Sequence, residues 1–249
     1  MIDLSGKTIL VTGASRGIGA ATVVALDRVG AQVVMSYGAS QQQGEEVAAQ
    51  CSNEPILLQA DLSRPGAASL LFDRALAEVG DIDVLINNAG IAPEADVDAT
   101  DAAWSIAWQQ TMQVNLFSLA DLCRKAVVHF VPKGSGTIIN IASRAAFRGD
   151  EPNMMHYAAS KGAVVSLGRS LARGYGKHGI VAHTVNPGWV ATDMATNFFA
   201  ANPDALEGFP LGEAVPPEEV AATIAFLASG LARHLTGSTV EINGATHVR

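Results

Sequence analysis

Short runs of β-branched and aliphatic residues alternate along this chain with longer stretches in which apolar positions recur every three or four residues. The first pattern is that of strands buried on both faces and the second that of amphipathic helices. Their regular alternation predicts a parallel sheet covered by helices on both sides. Candidate strands are 8–12, 32–36, 56–60, 83–87, 136–142, 180–185 and 238–242, and candidate helices are 17–29, 41–51, 65–79, 102–131, 156–176 and 217–229. The expected fold is α/β: a Rossmann-type, doubly wound, seven-stranded parallel sheet. No repeat or low-complexity tract divides the 249 residues, so a single domain, 1–249, is expected. Ligands of such sheets bind beyond the carboxyl ends of the strands, where strand order reverses.

Charge narrows the choice of partners. Lys and Arg number 16 against 24 acidic residues, and the basic residues are dispersed, whereas nucleic acids and anionic membranes need clustered positive charge. No apolar run approaches the roughly 18 residues of a membrane span, and the opening Met1–Lys7 lacks the regions of a signal peptide. A soluble, cytoplasmic protein is the expectation. Cys51 and Cys123 read as two reduced, packed thiols, and the six His show no metal-ligand spacing, so no metal is expected.

The first strand runs directly into Thr12-Gly13-Ala14-Ser15-Arg16-Gly17-Ile18-Gly19, after which a helical pattern begins. A strand, a glycine turn and a helix N-terminus in succession form an anion site: glycines let the backbone approach a pyrophosphate, and free N–H groups at the helix start bind it. An acid that would hydrogen-bond the ribose 2′-hydroxyl of NAD is missing from 33–40, with Glu45 the first carboxylate beyond. Arg16 supplies a positive charge, and Ser36, Tyr37 and Ser40 are further donors, so NADP is expected over NAD.

The GxxxGxG spacing resembles the short-chain dehydrogenase/reductase family, and the resemblance extends over nearly the whole chain. Asn87-Asn88-Ala89-Gly90 is similar to the family's NNAG segment beside the adenosine, and Asp61-Leu62 to the pair that receives the adenine ring. Tyr157-Ala158-Ala159-Ser160-Lys161 carries the family's YxxxK pattern, whose four-residue spacing sets Tyr157 and Lys161 on one helix face. The resemblance implies that Tyr157 exchanges the proton of the reacting oxygen, that Lys161 holds the ribose and lowers the tyrosine pKa, and that Ser143 orients the oxygen. It implies that Asn115 holds a water connected to the lysine. Pro187-Gly188 would lie beside the nicotinamide, with Val190 and Thr192 on its carboxamide.

Two departures are visible: Ser143 and Tyr157 stand fourteen positions apart, which predicts a longer loop between them, and the last strand ends Asn243-Gly244-Ala245 where many relatives have Asp-Gly-Gly. The segment 189–215, with Trp189, Met194, Phe198, Phe199, Phe209 and Leu211, is expected to form a lid that excludes water and contacts aliphatic carbon, and Met154 and Met155 extend the apolar wall. Within the family the chain is similar to 3-oxoacyl-[acyl-carrier-protein] reductases, so the leading substrate is a 3-oxoacyl thioester, the alternative another small ketone or alcohol. Lys133, Arg169 and Arg173 are the candidate contacts for an acidic carrier protein. A catalytically silent dinucleotide sensor and a nucleotide-sugar epimerase or dehydratase are the rival readings. The helical patterns 102–131 and 156–176 are apolar over more than one face, and with the family resemblance they point to a homotetramer.

Overall fold

A computed structural model describes residues 2–248. Seven parallel strands lie in the order β3-β2-β1-β4-β5-β6-β7, comprising β1 (Thr8–Val11), β2 (Gln32–Tyr37), β3 (Ile56–Gln59), β4 (Val84–Asn87), β5 (Gly136–Ile141), β6 (Ile180–Pro187) and β7 (Thr239–Ile242). The helices are α1 (Gly17–Arg28), α2 (Gln41–Ala48), α3 (Ala67–Val79), α4 (Asp101–Met112), α5 (Ser118–Lys133), α6 (Ala145–Arg148), α7 (Met155–Tyr175), α8 (Asp193–Ala201) and α9 (Pro217–Ala228). Strand order reverses between β1 and β4, and the crevice there opens at the carboxyl ends of both strands.

Strand side chains alternate between two cores. Leu10, Val34, Leu85, Ile138 and Ala182 share one with Phe72 of α3, Leu122 and Phe130 of α5 and Val164 of α7. Ile9, Val11, Met35, Ile86, Ile139 and Val185 face the other side, against Val23 and Leu26 of α1 and Val220 and Ile224 of α9. Each fully buried aliphatic side chain contributes about 1.5–3 kcal/mol. Because both faces are filled, a one-residue slip of a strand would exchange its two cores, which pins the register Leu10↔Leu85 and Ile138↔Ala182.

Two expectations are corrected, and a third segment gains detail. The pattern 102–131 is not one uninterrupted helix, since a π turn at Gln113–Phe117 separates α4 from α5. The stretch after Ser143 is not a plain loop: it holds α6 and a 3-10 turn at Pro152–Met154. The segment 189–215 carries α8 and a 3-10 turn at Pro203–Gly208. Among the described residues no helix is long and apolar enough to cross a membrane.

Candidate active site

The glycine loop between β1 and α1 is shaped by close approaches. Gly13 has φ +62, and a Cβ there would come within 2.8 Å of the Ala89 backbone; both conditions exclude a side chain. Gly17 lies beside Thr192, and Gly19 against the Gly13 carbonyl and the Asn88 side chain. Asn88 Nδ2 donates to the Thr12 and Gly13 carbonyls at 2.9 Å each, while the Thr12 hydroxyl accepts from the backbone N–H groups of Asn88 and Ala89. The loop is thereby latched to the segment after β4. Arg16 is the N-cap of α1 and offers no side-chain cap, so the first N–H groups of the helix, with Ser15 and Ile18 flanking, face the crevice as anion donors. That cradle fits a dinucleotide pyrophosphate.

Beyond β2 the arrangement is narrower than the residue types suggest. Arg16 is exposed, but Ser36 and Tyr37 are buried, and the Ser40 hydroxyl accepts from the Gln43 N–H as the cap of α2. Arg16 is therefore the exposed charge at that end of the crevice. The Asp61 carboxylate is held below its ordinary pKa by hydrogen bonds from the Ser63 side chain and backbone, with burial opposing and Arg64 assisting. Leu62 sits in the core, and its carbonyl accepts from the Ser118 hydroxyl at 2.7 Å.

At the switch point Asn115, Ser143, Tyr157 and Lys161 come together from three segments: the π turn, the end of β5 and α7. The π turn carries Asn115, whose Oδ1 accepts from the Ile91 N–H at 2.8 Å and whose Nδ2 donates to the Ile91 carbonyl at 2.9 Å and to the Ser160 hydroxyl at 3.1 Å. Ser160 in turn donates to the Tyr157 carbonyl at 2.7 Å. Lys161 donates to the Ile141 carbonyl at 2.9 Å, and its ammonium lies 5.7 Å from the centre of the Tyr157 ring. A Cβ on Gly90 would stand 3.4 Å from Lys161 Nζ and 3.5 Å from Asn115 Oδ1, so both polar groups converge on that glycine.

Burial pushes the Lys161 pKa down to about 8. Burial likewise raises the Tyr157 phenol above its ordinary value, the neighbouring Ser143 hydroxyl opposes this as a hydrogen-bonding partner, and the Asp150 carboxylate adds to it. This corrects the expectation that Lys161 lowers the tyrosine pKa. The ammonium is aimed at a backbone carbonyl, and desolvation of the phenolate dominates.

After β6, Pro187 accepts from the Arg144 N–H and Gly188 donates to the Ile242 carbonyl, which fixes this segment against the end of β7. Val190 pairs with Val215, closing the base of the 189–215 segment. Trp189 stacks on Phe198 at 3.9 Å, Phe199 bridges to Phe209, and the Arg144 guanidinium lies over the Trp189 ring at 5.3 Å. The aromatic residues thus pack largely on one another. Met154 is half-buried, whereas Met155 is exposed. Lys133 is committed to Asp81 and Asp83, at the amino-terminal edge of the sheet, and does not belong to the site.

Sequence reasoning missed Thr12, Ser160 and Arg144. Ser160 stands inside the YxxxK segment, where its nearness was readable, but a partner 45 residues away was not.

A glycine cradle at the switch point and a half-buried tyrosine paired with a buried lysine beside a serine define a Rossmann-type oxidoreductase. The chain belongs to the short-chain dehydrogenase/reductase family: the family model described as enoyl-(acyl carrier protein) reductase matches residues 13–247. A 3-oxoacyl-[acyl-carrier-protein] reductase of Synechocystis sp. is 36% identical, with 98% of each chain covered. A 3beta-hydroxysteroid dehydrogenase of Eggerthella lenta is 34% identical over 97% of this chain and 94% of its own. The solved structure of a 3-oxoacyl (acyl-carrier-protein) reductase from Agrobacterium tumefaciens C58, with NADP bound, superposes with a TM-score of 0.87 at 31% identity, covering 98% of this chain and 95% of that one.

Proposed function

We propose that this protein reduces a ketone to a secondary alcohol with NADPH, its leading substrate a 3-oxoacyl thioester or a related apolar ketone, and that it works as a cytoplasmic homotetramer. The observation that carries the reading is the convergence of Ser143, Tyr157 and Lys161 at the carboxyl edge of β5. When bound, the dinucleotide supplies the hydride. Gly13, Ser15, Arg16, Gly17, Ile18 and Gly19 would hold its phosphates, Asp61, Leu62, Asn88, Ala89 and Gly90 its adenosine side, and Pro187, Gly188, Val190 and Thr192 its nicotinamide. Segment 189–215 is the substrate lid of the single domain.

In this reading Ser143 donates a hydrogen bond to the carbonyl oxygen, and Tyr157 delivers its phenolic proton as negative charge develops there. A phenol kept protonated by burial is suited to giving a proton, which supports the reductive direction at neutral pH. Lys161, beside the tyrosine ring and with a pKa of about 8, provides an exchangeable proton. Asn115 and Ser160 hold the Tyr157–Lys161 turn in position. The presence of all four residues argues against the silent sensor.

Tyr157→Phe keeps the ring and removes only the donor. It should lower kcat by more than about 100-fold while NADPH still binds by fluorescence titration; near-native turnover would overturn the assignment. For the cofactor, the NADP-bound relative, the exposed Arg16 and the acid-free stretch 33–40 support NADP. Arg16→Ala should lower kcat/KM with NADPH by about 10-fold or more and leave that with NADH nearly unchanged, as one charge-assisted contact to the 2′-phosphate predicts. Equal losses with both would remove the argument for NADP.

A further inference from the structure

Arg144 directly follows the serine at the centre of the site, and it is half-buried. Burial lowers its pKa, and nearby Arg148 lowers it further, with Asp150 and Glu151 opposing from a distance. Neither acid neutralises it at contact range. Glu151 is paired with Arg148 at 3.5 Å, and Asp150 Oδ1 accepts the Glu151 N–H. Among the described residues no carboxylate and no carbonyl lies within hydrogen-bonding distance of the Arg144 guanidinium, whose one contact of note is the Trp189 ring at 5.3 Å. A guanidinium has five donors in a planar fork, and even partial withdrawal from water without a counter-charge carries a cost.

The position says what kind of partner would offset that cost. The Arg144 backbone N–H is fixed to Pro187 and its side chain reaches Trp189 at the base of the lid, so the charge stands between the catalytic serine and the segment that would cover the substrate. Arg16 is at the other end of the crevice, on the glycine loop. We propose that Arg144 reads a carboxylate on the substrate, so that within the ketone class the preferred substrates are oxo acids: an apolar body with the carbonyl at Ser143 and a carboxylate in the guanidinium fork. The inference rests on the carbonyl-reductase reading and, within it, puts a free oxo acid in place of the 3-oxoacyl thioester as the leading substrate. It explains why a lid whose rings pack on one another has an arginine at its base.

The test compares kcat/KM with NADPH for a series of linear and aromatic oxo acids and their methyl esters, in wild type, Arg144→Gln and Arg144→Lys. Wild type should favour the acid over its ester by about 10- to 100-fold, the span of a hydrogen-bonded charge pair. In Arg144→Gln that ratio should collapse towards one, mainly through KM for the acids, and Arg144→Lys should restore part of it, since a point charge lacks the fork. Loss on acid and ester alike, with the ratio kept, would show that Arg144 only supports the lid, and the proposal would fall. Equal turnover of acid and ester by wild type would also overturn it. Thermal-shift titration with benzoate, benzamide and inorganic phosphate separates this failure from failure of the reductase reading. Benzoate binding that is lost in Arg144→Gln and retained in Tyr157→Phe upholds the carboxylate site even if no ketone is reduced. Binding of phosphate in place of benzoate, or of neither, overturns it.

Discussion

At Lys161 an ammonium is buried with one backbone carbonyl, that of Ile141, as its hydrogen-bond acceptor, and its pKa is pushed down to about 8. The folded state therefore disfavours the charged form that the unfolded chain carries freely. Lys161→Met, close in length and uncharged, should abolish turnover yet raise stability at neutral pH by about 2 kcal/mol. The sign follows from linkage. Between about pH 8 and 10.5 the unfolded state binds more protons than the folded one, so wild-type stability rises through that window and the gap to the variant closes. Urea midpoints at neutral pH and near pH 10 measure both; a wild type more stable than the variant at neutral pH would show that the Ile141 bond outweighs desolvation. Tyr157, Lys161 and Ser143 were legible because four-residue spacing on a helix and a hydroxyl at a strand end are local facts. Arg144 was not. Its meaning lies in the Trp189 contact and in the lack of a counter-ion, and neither is written in neighbouring letters.

The long helical pattern 102–131 shows what periodicity conceals at the scale of elements. Apolar positions continue through Gln113–Phe117 at nearly the same spacing, so one extra residue in the turn leaves no break in the pattern. What the sequence did show was an asparagine where a helix gains nothing from one. The π turn accounts for it. By widening the helix at Asn115, it aims the side chain at both backbone groups of Ile91 and at Ser160. Asn115→Ala would leave the partly buried Ile91 N–H and carbonyl without their side-chain partner, at a cost of about 1 kcal/mol or more. It would also free the segment after β4 from α7. The expected result is a lower urea midpoint and a lower kcat with far-UV helix content retained; Asn115→Ala with native stability would mean that water replaces the amide and that the turn serves another purpose. The strands, by contrast, were readable to within two residues, since a fully buried parallel strand is a continuous apolar run with turn residues at its ends.

For the whole molecule, the seven-stranded parallel sheet followed from alternation, but its strand order and any candidate surface for a second copy need the fold. Ile106 on α4, Phe117 at the end of the π turn and Val128 on α5 are 54%, 53% and 63% exposed, the last two eleven residues apart, a little over three helical turns. Leu70, on the adjoining α3, is 62% exposed as well. Apolar side chains held in solvent on these adjoining elements contribute nothing to the isolated chain, and burial against a second copy would return about 1.5 kcal/mol or more for each. A twofold axis across the face would bury every one of them twice, because the same patch serves both partners. Sedimentation at micromolar concentration should therefore show an assembly, with the tetramer the expected species. The double variant Phe117→Glu/Val128→Glu should dissociate it while the circular dichroism of the fold is kept, since neither side chain belongs to either core. A wild type that sediments as a monomer would refute the association itself, and an assembly indifferent to both charges would place the interface on another face.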